Sequence, residues 1–157
     1  MSVNVKQADR RELHFDSMQD LLDEVERLAA GEVETTGNWT LAQMMQHLSL
    51  IFNATIDGFG VRMPWLMRAM AKLFMKNRFL YKALPSGFKI PKNMQKFEPE
   101  DLPQETALEN LRAAIQRLQS TDERAEHPIF GALSKEESDN FQLRHAELHL
   151  SFVKPKA

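Results

Sequence analysis

Cysteine is absent from all 157 residues. That absence excludes disulfides, thiolate zinc sites, iron–sulfur clusters and cysteine nucleophiles. Glycine and proline are sparse, at six and seven, too few for a β architecture punctuated by regular turns. Net charge is nearly missing as well: 20 Lys and Arg against 22 Asp and Glu leave −2, so no overall field draws the chain to nucleic acid. No apolar run approaches the roughly 20 residues of a membrane span. The opening segment, MSVNVKQADRRELHFDS, is too charged for a secretory signal. These absences predict a cytoplasmic protein that binds no nucleic acid and makes no stable membrane association. The length suits one domain over residues 1–157, and 43% hydrophobic with 27% charged residues suits a folded core.

What is present reads as helix. Ser17 precedes Met18, Leu21, Leu22, Val25 and Leu28 at helical spacing, and Gly31 stops the run. Thr40 and Gln43 have capping-box spacing at the head of a second helix. Its broad apolar face carries Leu41, Met44, Leu48, Ile51 and Phe52, and Gly58 and Gly60 end it. A third helix runs from about 104 to 119 on Leu108, Leu111, Ile115 and Leu118. The last starts at a capping box in Ser134-Lys-Glu-Glu, continues through Phe141, His145, Leu148 and Phe152, and is limited by Pro155. Four such helices predict an all-α fold, a four-helix bundle. Strand signals are thin: only VNVKQ and RELHF alternate, and EVETTGNW reads as a loop.

Residues 61–97, between the second and third helices, hold nine Lys or Arg and no Asp or Glu. Trp65, Met67, Met70, Leu73, Phe74 and Met75 are interleaved with Arg68, Lys72 and Lys76. This basic, Met-rich insertion predicts a short amphipathic helix starting at Pro64, its apolar side packed on the bundle and its cations in solvent. A lid over a site, or a helix lying on a membrane surface, are the other two readings.

Five histidines supply the chemistry. His145 and His149, four apart on one helix, lie about 40° apart around its axis and can share a metal ion. Phe141, Leu148 and Phe152 fall near the same face, so the pair sits on or beside the core, where an unpartnered polar group is costly. His47, at the margin of the second helix, can supply a third ligand. Three neutral nitrogens leave a coordination position open, the catalytic form of zinc; imidazole also suits nickel and iron(II). The other reading is three hydrogen-bonded histidines without metal. His14 and His127 read as loop or surface residues.

Trp39, Gln43, His47 and Leu48 in GNWTLAQMMQHLSL, with His145 and His149 in RHAELHLSF, resemble the DinB/YfiT-like superfamily of metalloenzymes. The loop HPIFGALSKEE, residues 127–137, is similar to the uncharacterised-domain branch of that superfamily. The resemblance spans about Arg11 to Val153 and implies a four-helix core with a divalent metal on His47, His145 and His149. Zinc or nickel is the implied metal, with iron a further candidate. Some members transfer low-molecular-weight thiols, so a thiol cofactor and a small-molecule substrate are implied.

Two functional readings stand. One is a metal-dependent enzyme, a thiol S-transferase or a hydrolase. The other is a non-catalytic dimeric binding or scaffold protein with a structural or vestigial metal. Gln43, one turn before His47, is a candidate for supporting the site or touching substrate, in competition with a capping role. Arg144 could hold an anionic substrate or pair with an acidic neighbour. Glu147 should point away from the two histidines. Leu143 and Leu150 lie opposite the histidine face, which predicts either a cover from the insertion or a homodimer.

Overall fold

A computed structural model describes residues 2–157. The fold is mostly helical, and three of its four long helices begin at a capping box. Helix α1, Met18–Ala29, opens on a capping box in which Ser17 and Asp20 satisfy each other's backbone donors, and it buries Met18, Leu21, Val25 and Leu28. Helix α2, Leu41–Asp57, opens on the Thr40–Gln43 box and ends at Gly58, whose φ of 99° breaks the helical path. Its buried side chains, from Leu41 through Met44, Met45, Leu48 and Phe52, occupy most of its circumference, so it forms the centre of the core. Between two other long helices, α5 (Gln104–Ser120) and α6 (Lys135–Leu150), α2 meets both, and α1 packs on the same two. Ala107 and Ala114 on the buried face of α5 allow close approach to α2. Fully buried side chains such as Leu48, Leu111 and Ile115 contribute roughly 1.5–3 kcal/mol each.

The expectation of an all-α chain is corrected by a small sheet. Strand β1, Val33–Thr35, pairs antiparallel with β2, Val153–Pro155, in the register Val33↔Pro155, Glu34↔Lys154 and Thr35↔Val153. The last helix therefore stops at Leu150, before Phe152. VNVKQ and RELHF form no strand. The pairing brings the 36–40 loop alongside the end of α6. Gly37 packs closely there: a Cβ would lie 3.1 Å from the Phe152 ring, which would have to shift to admit it.

The opposite face of α6 is covered by the chain's own N-terminal segment. Arg11 N–H donates to the Ser151 carbonyl, Phe15 N–H to the Glu147 carboxylate, and Arg144 to the Phe15 carbonyl. Leu143 and Leu150 are buried beneath it, so neither the insertion nor a second subunit is needed to cover them.

The insertion forms helices α3, Trp65–Phe74, and α4, Lys76–Tyr81, then a 3₁₀ turn over Lys92–Phe97. Helix α4 packs on α6. Helix α3 reverses the expected orientation: Arg68 bonds Glu126 and Lys72 bonds the Ala132 carbonyl, while Trp65, Leu73 and Phe74 face solvent. Among the described residues, no helix is long and apolar enough to cross a membrane.

Candidate metal centre

Helix α2 contributes His47 and helix α6 contributes His145 and His149. One nitrogen from each lies within 4.8 Å of the others. The Nε2 atom of His145 is 3.3 Å from that of His47 and 2.9 Å from that of His149. A metal with nitrogen ligands at about 2.0–2.1 Å in tetrahedral array separates those nitrogens by about 3.3–3.4 Å. The His47–His145 spacing matches that edge, and the His145–His149 spacing is somewhat shorter. Without a cation, His145 Nε2 either divides one N–H between two acceptors or, accepting from His149, faces the His47 lone pair with no proton between them. A cation satisfies all three lone pairs at once, so the residues present fit a divalent metal.

The surroundings fix two of the rings. His47 Nδ1 donates to the Phe97 carbonyl at 2.6 Å, which places the proton on Nδ1 and leaves the Nε2 lone pair free. Trp39, held by the loop that follows β1, stacks on His149 at 5.1 Å with 16° between planes and lies 4.9 Å from His47. His145 has no such support, since its buried Nδ1 lacks a partner. Burial lowers the basicity of all three imidazoles. For His145 and His149 the neighbouring histidines lower it further, and for His47 the Phe97 carbonyl opposes the shift. All three are therefore neutral at pH 7, the form that binds metal.

The triad lies in the wall of a cavity of about 1040 Å³ whose other walls are mainly apolar, among them Met44, Phe59, Phe79, Phe130 and Phe141. Segment 75–97 of the insertion closes one side, through Met75, Leu84, Phe88 and Ile90.

Two polar residues in this cavity escaped the sequence reading. His127, expected in a loop or at the surface, is buried among Phe59, Phe130 and Phe141. Its Nδ1 accepts the backbone N–H groups of Ile129 and Phe130 at 3.1 and 3.2 Å, so the ring proton resides on Nε2. Reciprocal backbone bonds between His127 and Gly131 close this loop, and Gly131 adopts φ 69°, a conformation that favours glycine. Burial holds the His127 pKa down to about 4. Gln142, one turn before His145, lines the cavity with its Oε1 buried and unpartnered. The signal for Gln142 was its i, i+3, i+7 alignment with His145 and His149; nothing local signalled the burial of His127.

The other residues singled out from the sequence lie elsewhere. Gln43 completes the α2 cap and donates to Asp101 at 2.9 Å. Arg144 and Glu147 form a buried ion pair at 2.8 Å on the far side of α6 from the histidines. Burial raises the Glu147 carboxyl above its usual range, against the pull of Phe15 N–H and Arg144. Asp57 pairs with Arg117 at the end of α2, and His14 is an exposed partner of Asp16.

No curated protein and no solved structure matches the chain. A family profile described as a protein of unknown function (DUF1569) matches residues 7–156. With nearly its whole length covered, the chain belongs to that family.

Proposed function

We propose that the chain is a divalent-metal enzyme of DinB-like type that acts on a small molecule through an open three-histidine site. The observation that carries this reading is the meeting of three neutral imidazole nitrogens in the wall of a large apolar cavity. A structural zinc takes four protein ligands, and among the described residues no fourth His, Asp or Glu joins the group. The order of the residues supports the DinB-like reading of the core: His47 on the second long helix, the His145–His149 pair on the last, and an inserted segment between α2 and α5.

His47, His145 and His149 would hold the metal; zinc or nickel suits them, and iron(II) is the further candidate. When bound, the metal supplies Lewis-acid activation of a water or a thiol near pH 7. The chain's own residues supply the rest. Phe97 fixes the His47 tautomer, and Trp39 packs the His149 ring in place. His127 is a neutral N–H donor, suited to an oxygen that gains charge, because its two backbone partners commit Nδ1 as acceptor. Gln142 adds an amide to a mainly apolar wall, whose aromatic side chains limit bulk water at the histidines. Thiol S-transfer is the preferred reaction, because among the described residues no carboxylate joins the histidine group to serve as a base for hydrolysis and the chain has no thiol of its own.

Elemental analysis of untagged protein purified without chelators tests the site. About one metal per chain is expected, lost in His145→Ala/His149→Ala. Metal-loaded protein assayed against a panel of thiols with electrophiles, and against esters, then tests the reaction. A rate no higher than that of His47→Ala would refute catalysis at this centre.

A further inference from the structure

Helix α3 shows solvent the face that an amphipathic helix ordinarily buries. At 100° per residue, Trp65, Leu66, Met67, Met70, Leu73 and Phe74 fall in one arc of about 200°. All six are at least half exposed, and Trp65, Leu73 and Phe74 are exposed by 74, 76 and 74%. The opposite arc holds buried Ala71 together with Arg68 and Lys72, which bond Glu126 and the Ala132 carbonyl. Inward-facing cations thus hold the helix with its apolar side out. A contiguous apolar face of this kind marks an interaction surface.

Charge decides what covers it. Segment 61–97 carries nine cations and no acid. Lys82, Lys89 and Lys92 are exposed, beside exposed Tyr81 and Phe88, and among the described residues they form no ion pair. A two-fold pairing of copies through α3 would set this cationic segment against itself. An acidic lipid surface accepts both features: the apolar arc enters the acyl boundary, Trp65 sits at the interface, and the lysines meet the headgroups. The cavity supplies continuity, because Met75, Phe88 and Ile129 are exposed and also line its mouth.

We propose that α3 docks the protein reversibly on an anionic phospholipid surface, with the cavity mouth facing that surface. A lipophilic compound dissolved in the membrane then has an apolar route to the histidines, a consequence that rests on the enzymatic reading above, whereas the docking does not.

The test is sedimentation of the full chain with vesicles of phosphatidylcholine alone or mixed with phosphatidylglycerol, at low and high salt. Partition to the acidic vesicles should exceed that to the neutral ones by about tenfold or more and should fall with salt. Leu73→Glu/Phe74→Glu should lower it at least about tenfold with an unchanged melting temperature, since both side chains are three-quarters exposed. His145→Ala/His149→Ala should still sediment, which separates failure of the metal reading from failure of docking. Equal partition to both vesicles, or no loss in the Leu73/Phe74 variant, would overturn the proposal. So would a lipid-free dimer that the same variant dissociates, which would assign the face to a second copy.

Discussion

Helix α6 carries polar side chains on two opposite faces, buried on one and half-buried at the histidines of the other, and the two faces differ in what meets what. On one, unlike groups meet: the Arg144 guanidinium faces the Glu147 carboxylate, and each also bonds the Phe15 backbone. On the other, like groups meet: His145 and His149 turn their nitrogens toward each other and toward His47, with Gln142 Oε1 and His145 Nδ1 unpartnered nearby. The first face pairs its opposite charges within the chain and fastens the N-terminal segment to the helix, with only Arg144 Nε left over. The second gathers three imidazole nitrogens with no counter-charge within the chain, an arrangement that fits a cation. Burial of a polar group alone does not separate a structural role from a functional one; whether its partner lies inside the chain does.

The largest effect should come from breaking the face whose charges pair within the chain. Arg144→Met leaves Glu147 buried without its counter-ion, and loss of one partner of a buried pair costs about 3–5 kcal/mol. Urea denaturation should show that loss, while the folded protein keeps its metal. If Arg144→Met emptied the metal site without lowering stability, the division between the two faces would fail.

Acid tests the other face. His127 has a folded pKa of about 4 against about 6.5 in an unfolded chain, so on acidification the unfolded state takes the proton first. Its contribution to stability is intact above about pH 6.5 and is lost as pH falls toward 4, in total about 3 kcal/mol. His145 and His149, also lowered by burial, act in the same direction. Thermal melts of metal-free protein should therefore fall across that window, and His127→Gln should flatten the slope. An equal slope in the variant would mean that His127 is not held neutral by its pocket.

Metal should reverse part of this. Zinc or nickel at about one hundred times its dissociation constant adds about 2.7 kcal/mol to the folded state. The shift should vanish in His145→Ala/His149→Ala and persist in Arg144→Met. A shift that survives the double substitution would place the ion elsewhere.

The two faces also differ in how far sequence alone discloses them. The starts of α1, α2 and α6 were legible because capping boxes act within four residues, as at Ser17, Thr40 and Ser134. The shared face of His145 and His149 follows from a spacing of four. What sequence could not disclose depends on distant partners. Strands of three residues carry no alternation to read, and β1 finds β2 only when the connection between α1 and α2 meets the segment after α6. His127 is buried by Phe59 and Phe141 from other segments, so its loop looks superficial. The orientation of α3 is not legible in the sequence, because its hydrophobic pattern suits packing inward. Glu126 and the Ala132 carbonyl, from the loop before α6, capture Arg68 and Lys72 instead.

Gln43 offers the smallest effect and the sharpest separation of cap from site. It stands one turn before His47, where a supporting or substrate-touching role would place it, yet its side chain is fully engaged. Its Oε1 accepts Thr40 N–H at 3.0 Å, and its Nε2 donates to Asp101 at 2.9 Å. Gln43→Ala removes one arm of a capping box and should cost about 0.5–1 kcal/mol. Metal affinity should stay within about twofold, because His47 takes its orientation from the Phe97 carbonyl. Calorimetric titration with zinc on wild type and variant decides the matter. An affinity loss of about tenfold, equal to about 1.4 kcal/mol, would show that the first turn of α2 positions His47, and would move the boundary of the site one helical turn toward the Thr40 cap.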